Sequence, residues 1–227
     1  MNNSTMITAH NGADHTPENS MAFVRHAVSG AADALEIDIR KLPDGTLVFT
    51  HDISGSDTLV PISSVFEALR GSDKLVNCDL KEPGLESDVY RLALDCGVGD
   101  RLIYTGTVDA ARCAKSGLNR KVRIALNIEE YIPDIYTRYM QDPALALGES
   151  ARSAREMCQI CLRHGIPRIN ANYHLATEAF LDELARSKIQ LSVWTVNEPD
   201  QIDRFLALGV WNLTTRNPEY ALTRANR

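Results

Sequence analysis

Two periods of apolar and polar residues organise this chain. ALEIDIR at 34–40 and TLVFT at 46–50 alternate with period two, the mark of half-buried strands. Shorter apolar runs predict further strands at 5–9 (TMITA), 75–80 (LVNCDL), 102–105 (LIYT), 122–128 (VRIALNI), 168–171 (RINA), 190–196 (QLSVWTV) and 210–214 (VWNLT). Between them, residues 62–69, 85–96, 108–115, 149–164, 177–187 and 199–208 carry the three-to-four spacing of amphipathic helices. Gly97, Gly117, Gly165 and Gly209 mark helix ends in places, where a left-handed cap suits glycine. Strands alternating with helices imply a parallel sheet with helical crossovers. The strands at 5 and 35 and the six from residue 75 onward make eight; the strand ending at His51 is an addition. The expected fold is a (β/α)₈ TIM barrel, one domain over 1–227, with a hairpin strand added after the second barrel strand. An open doubly wound sheet is the alternative, and it would not so readily set the first and last strands side by side.

Composition narrows the function classes. The chain is 44% hydrophobic, ample for one large core, and its formal net charge is −6. No basic cluster suggests a nucleic-acid groove or an anionic membrane surface. No apolar run is long enough to span a bilayer. The first strand begins almost at once, without a basic, apolar leader, so a cytoplasmic location is expected. The five cysteines are odd in number and scattered, against a disulfide framework. Cys158 and Cys161 have metal-like spacing but lie in a helical pattern without companion ligands, so they are read as packing residues.

The segment from His10 to Asp52 holds the densest chemistry. Two histidines bracket a strand on which Glu36, Asp38 and Arg40 share one face. Asp44-Gly45 is a hairpin signal. A two-residue turn there pairs Pro43 with Thr46 and sets Arg40 opposite Phe49 and Asp38 opposite His51. Histidines suit proton transfer near neutral pH, and paired carboxylates suit a hard divalent cation. Together they fit reaction at a phosphate ester. Asp79, Lys81, Thr105, Asn127, Glu129, Trp194 and Thr215 fall at or just beyond other strand ends, where a barrel places its reactive groups.

These residues resemble the glycerophosphodiester phosphodiesterases, whose barrel is related to phosphatidylinositol-specific phospholipase C. The family's His-Arg-Gly, Pro-Glu-Asn, Glu-x-Asp, Asp-Gly and His-Asp motifs are matched by His10-Asn11-Gly12, Pro17-Glu18-Asn19, Glu36-Ile37-Asp38, Asp44-Gly45 and His51-Asp52. Asn77-Cys78-Asp79-Leu80-Lys81 is similar to its Asn-x-Glu-x-Lys strand, and Trp194-Thr195-Val196-Asn197 to its late Trp-Thr-Val-Asn strand. Leu213 to Pro218 resembles its closing Ile-Thr-Asp-x-Pro turn.

The resemblance implies hydrolysis of a small-molecule glycerophosphodiester to glycerol 3-phosphate and an alcohol. It implies Mg²⁺ or Ca²⁺ on Glu36, Asp38 and Asp79, His10 and His51 as the acid–base pair, and Lys81 on the phosphoryl oxygens. Trp194 is expected to stack against substrate. Three departures stand out. Asn11 replaces the motif arginine, which leaves it a polar but uncharged phosphate contact. Arg40, on the face of Glu36 and Asp38, is expected to supply the missing charge. Asp79 replaces a glutamate, and the stretch 53–61 is short for a family cap, which implies an open site mouth. A cyclising lyase or phosphoryl transferase and a non-catalytic phosphodiester-binding protein are the alternatives on the same barrel. The sequence assigns no oligomeric state.

Overall fold

The computed structural model describes residues 5–53 and 59–225. The chain runs β1 (Met6–Ala9), α1 (Met21–Ser29), β2 (Ala34–Lys41), β3 (Leu47–Phe49), β4 (Val60–Pro61), α2 (Ile62–Leu69), β5 (Leu75–Leu80), α3 (Glu86–Asp95), β6 (Leu102–Gly106) and α4 (Ala110–Ser116). It continues with β7 (Arg123–Ile124), β8 (Leu126–Asn127), α5 (Ile135–Gln141), α6 (Pro143–Gly148), α7 (Ser150–His164), β9 (Arg168–Asn172), α8 (Glu178–Ser187), β10 (Gln190–Trp194), α9 (Pro199–Leu208), β11 (Asn212–Thr215) and α10 (Pro218–Arg224).

The sheet order is β7-β6-β5-β2-β1-β11-β10-β9-β8. The chain itself joins the two ends of that path. The expected strand at 122–128 is broken at Ala125: its first half pairs with β6 and its second with β9. One interrupted strand thus closes a parallel ring of eight, the TIM-type barrel expected from the element count. First and last strands are neighbours, with Met6 beside Asn212 and Ala9 beside Thr215.

Helix faces follow from spacing. In α2, Ile62, Val65, Phe66 and Leu69 recur at i, i+3, i+4 and i+7 and are all fully buried. Ser20 caps α1 by accepting from Phe23 N at 3.1 Å, and Thr177 caps α8 by accepting from Phe180 N at 3.2 Å. All five cysteines are free and buried, Cys158 and Cys161 among them.

The barrel interior carries a belt of hydrogen-bonded polar side chains. Thr8 Oγ1 donates to Asn212 Oδ1 (2.7 Å), Asn212 Nδ2 to Ser192 Oγ (3.0 Å), Ser192 Oγ to Asn170 Oδ1 (2.7 Å) and Asn170 Nδ2 to Asn127 Oδ1 (2.8 Å). Buried polar groups cost little only when paired, and this belt pairs them across successive strands.

The β2–β3 hairpin corrects the expected register by one residue. Ile39 faces Phe49, Arg40 faces Val48 and Lys41 faces Leu47. The turn holds three residues, Pro43, Asp44 and Gly45. Leu42 N donates to Thr46 O (2.9 Å), and Gly45 sits at φ +91°. Proline has no N–H to pair with Thr46, and glycine takes the left-handed position that closes a three-residue loop. Asp38 therefore pairs with Thr50, whose N donates to Asp38 O at 3.1 Å, and His51 falls one position beyond the ladder. Beyond it, the short stretch 53–61 includes residues 54–58, which lie outside the described residues. Val60–Pro61, at its far end, adds a strand to β3 that the pattern did not suggest.

Candidate active site

Parallel register builds the acidic cluster. Glu36 lies beside Asn77 and Asp38 beside Asp79 on adjoining strands, with Thr105 of β6 beside Asp79. One ligand oxygen from each of Glu36, Asp38 and Asp79 lies within 4.8 Å of the others, and all three residues are buried. Burial lifts the Glu36 carboxyl to about 7; the charges of Asp38 and Asp79 add to the rise, and His10 and Lys81 oppose it. Its Oε2 is buried and accepts no hydrogen bond among the described residues, with His10 Nε2 at 3.4 Å. The other two carboxylates are well served. Lys81 Nζ bridges Asp38 Oδ1 (2.8 Å) and Asp79 Oδ2 (2.5 Å), and Thr105 Oγ1 donates to Asp79 Oδ1 (3.0 Å). Burial works against the lysine charge, but Asp79 and Asp38 outweigh it and hold the pKa of Lys81 above its ordinary value. The cluster is one cation short, and its donors are hard oxygens; that combination fits a divalent metal ion.

The cluster opens into a cavity of about 450 Å³ at the C-terminal ends of the strands. His10, Asn11, His51, Lys81 and Trp194 line it together with the three carboxylates. Asn127, Glu129, Glu130 and Asn170 add polar wall from β8 and β9. Burial also lifts Glu129 to about 7.

The two histidines differ in setting. His10 is mostly enclosed, its Nδ1 2.9 Å from Asn11 O. His51 is exposed at the rim, its Nδ1 2.9 Å from Asp52 Oδ2, which orients the ring. Asn11 lines the cavity, but both its amide hydrogens are engaged, to Asn19 Oδ1 (2.8 Å) and Asp38 Oδ2 (3.1 Å). It holds a carboxylate in place and has no free hydrogen for a ligand.

Arg40 departs from expectation. It is not part of the cavity wall: its Nε donates to His51 O at 2.7 Å and its Nη2 lies 3.6 Å from Asp52 Oδ1. Its guanidinium is taken up by the backbone of the His51 turn and by Asp52, away from the cavity wall. A different guanidinium faces the cavity, that of Arg216, just past β11.

A model of the glycerophosphoryl diester phosphodiesterase family matches residues 10–82 and 106–220. The chain belongs to that family. Similar curated proteins include a glycerophosphodiester phosphodiesterase of Caldanaerobacter subterraneus, 20% identical over 95% of each chain. An uncharacterized protein of Bacillus subtilis is 26% identical over 96% of this chain and 97% of its own. Among solved structures, a putative glycerophosphoryl diester phosphodiesterase from Agrobacterium tumefaciens superposes with a TM-score of 0.78 at 15% identity, over 98% of both chains. An Oleispira antarctica phosphodiesterase in complex with the product sn-glycerol-3-phosphate gives 0.71 at 12% identity, over 99% of this chain and 98% of its own. The protein is thus an enzyme of the phosphodiesterase class.

Within this phosphodiesterase barrel, Gly106 shows how tightly the cluster is held. It sits at φ +75° at the end of β6, and its N donates to Asn127 Oδ1 at 3.0 Å. A Cβ there would lie 2.5 Å from Asp79 Oδ1 and 2.8 Å from Leu80 N, closer than real atoms approach. Gly106→Ala is expected to destabilise the protein by on the order of 2–4 kcal/mol, from the left-handed backbone and the clash together. The measurement is a melting curve, with a fall of about 5–15 °C. An unchanged melting temperature would show that the end of β5 yields freely.

Proposed function

We propose that the protein hydrolyses glycerophosphodiesters to glycerol 3-phosphate and an alcohol, using a divalent cation, Mg²⁺ or Ca²⁺, and the two histidines His10 and His51. The observation that carries this reading is the meeting of three buried carboxylates and both histidines on one cavity. Glu36, Asp38 and Asp79 would hold the cation, the orphaned Glu36 oxygen being the clearest mark of a missing positive partner. When bound, it would offset the charge on a non-bridging phosphoryl oxygen and make the phosphorus more open to attack.

The chain's own groups do the rest. One histidine takes a proton from the attacking water, or from the glycerol 2-hydroxyl if water then opens a cyclic phosphate, and the other gives a proton to the alcohol oxygen that leaves as its P–O bond breaks. Lys81 offsets the acidic cluster and offers a donor to the phosphate. Trp194, with Tyr136 of α5 tilted against it at 6.3 Å, gives an aromatic wall for the glycerol or alcohol moiety. The Oleispira relative supports the product class, since glycerol 3-phosphate is what its structure carries. No helix among the described residues is long and apolar enough to cross a membrane. With free, buried cysteines throughout, we read the protein as one of the reducing cytoplasm.

The test is turnover of a panel of glycerophosphodiesters, choline, ethanolamine and glycerol esters among them, with Mg²⁺, Ca²⁺, Mn²⁺ or chelator, followed by phosphorus NMR. Glycerol 3-phosphate formed only with a cation is the expected result. A cyclic phosphate as the final product would make the enzyme a lyase, and no cleavage of any ester would leave the diester-binding alternative.

A further inference from the structure

The charges that line the cavity do not suit an anionic ligand without help. Among the described residues, six carboxylates line it: Glu18, Glu36, Asp38, Asp79, Glu129 and Glu130. Only two fixed cations face them, Lys81 and Arg216. Lys81 is held between Asp38 and Asp79, so its charge is largely spent inside the acidic cluster. Arg40 turns away from the cavity, and Asn11 has no free amide hydrogen.

Arg216 is placed differently. Ala9 and Thr215 are register partners on β1 and β11, so Arg216 stands level with His10 on the neighbouring strand, 206 residues away in sequence. Its backbone is pinned: N donates to Asn197 Oδ1 (2.9 Å), and O accepts from Asp14 N (3.1 Å). Only the guanidinium has room to move. Its Nε lies 3.2 Å from His10 Nδ1 and its Nη2 2.5 Å from Glu18 Oε1. Nη1 makes no protein hydrogen bond among the described residues. The Glu18 pair is about half exposed on both sides, and such pairs are worth little in water. A phosphate can take the place of Glu18 at small cost. The planar fork of arginine also matches two phosphoryl oxygens at once.

We propose that Arg216 is the principal phosphate-binding side chain of this site, with Lys81 as the lesser donor, a guanidinium supplied by the strand that ends the barrel and not by the one that begins it. The proposal rests on the phosphodiesterase reading for its substrate, but not for its test. The probe is inorganic phosphate, its binding measured by calorimetry on the whole chain with Mg²⁺ present, alongside KM and kcat on a glycerophosphodiester. Arg216→Ala and the less intrusive Arg216→Gln are expected to weaken phosphate binding and raise KM by on the order of tenfold or more, with Arg216→Lys between them and wild type. Glu18→Gln should leave binding unchanged or tighten it, because it frees the guanidinium. Phosphate binding unchanged in both Arg216→Ala and Arg216→Gln would overturn the proposal, as would a loss confined to kcat. So would an equal loss in Glu18→Gln, which would make Arg216 a tether for the loop after β1. Should wild type cleave no diester, the functional reading fails and calorimetry still decides: binding lost with Arg216 supports the assignment, and no binding by wild type ends it.

Discussion

His10→Ala is expected to lower kcat by on the order of 10²-fold or more, and His51→Ala to do the same, with the cation saturating. The reason is placement. His10 Nε2 points at the acidic cluster, 3.4 Å from Glu36 Oε2, while its Nδ1 lies 2.9 Å from the Asn11 carbonyl, to which it donates when protonated, and 3.2 Å from Arg216 Nε, from which it accepts when not. His51 reaches the same cavity from the end of the β2–β3 hairpin, its ring steadied by Asp52. Neither is a core residue, so the variants should keep the wild-type far-ultraviolet spectrum and melt within a few degrees of it. Steady-state kinetics on a glycerophosphodiester provide the check. Near-normal turnover in one variant would remove that histidine from proton transfer and leave a single-residue scheme.

Addition of Mg²⁺ or Ca²⁺ to cation-free protein is expected to raise the melting temperature, and Glu36→Gln to abolish that rise together with most of the activity. A cation at a hundred times its dissociation constant stabilises by about 2.7 kcal/mol, or roughly 5–11 °C for a chain of this size. The carboxylates stand close enough for one ion, within 4.8 Å of one another. The sign of the metal-free behaviour also follows. Burial raises Glu36 to about 7, so the stability tied to its neutral form is present at low pH and is lost as the pH rises through about 7. Without cation, the wild type should melt lower at pH 8 than at pH 6, and Glu36→Gln should lessen that fall. Differential scanning calorimetry at the two pH values, with and without cation, measures both effects. An equal cation shift in wild type and Glu36→Gln would show that the ion binds elsewhere.

Much of this site was legible in the sequence. Period-two alternation put Glu36 and Asp38 on one strand face, and the apolar spacing set the boundaries of β5 (Leu75–Leu80), α2 (Ile62–Leu69) and α9 (Pro199–Leu208) as they are observed. These are local properties: side-chain direction along a strand and burial along a helix are fixed within a few residues. The helices α5, α6 and α10 escaped the pattern. They are short, and no apolar stripe in them is long enough to read.

What the sequence could not determine depends on which segments meet. A three-residue turn in place of two moved the hairpin register by one, which set Thr50 rather than His51 opposite Asp38 and left the His51 carbonyl where the Arg40 guanidinium bonds it. The Asp44-Gly45 signal suits a two-residue turn, but Pro43 has no N–H to pair with Thr46, and the loop takes a third residue. The break at Ala125 has no local signal, because it arises from a strand serving two neighbours to close the ring. The polar belt from Thr8 to Asn127 exists only once strands far apart in sequence lie side by side. The pairing of Asp38 with Asp79 and the approach of Arg216 to His10 have the same origin. The sequence by itself determined the strands, the helices and most of the candidate residues those strands present, such as Glu36 and Asp38 on one face. Barrel closure decided which of those residues share a pocket, because it joins β1 to β11 and brings together groups that no local period connects.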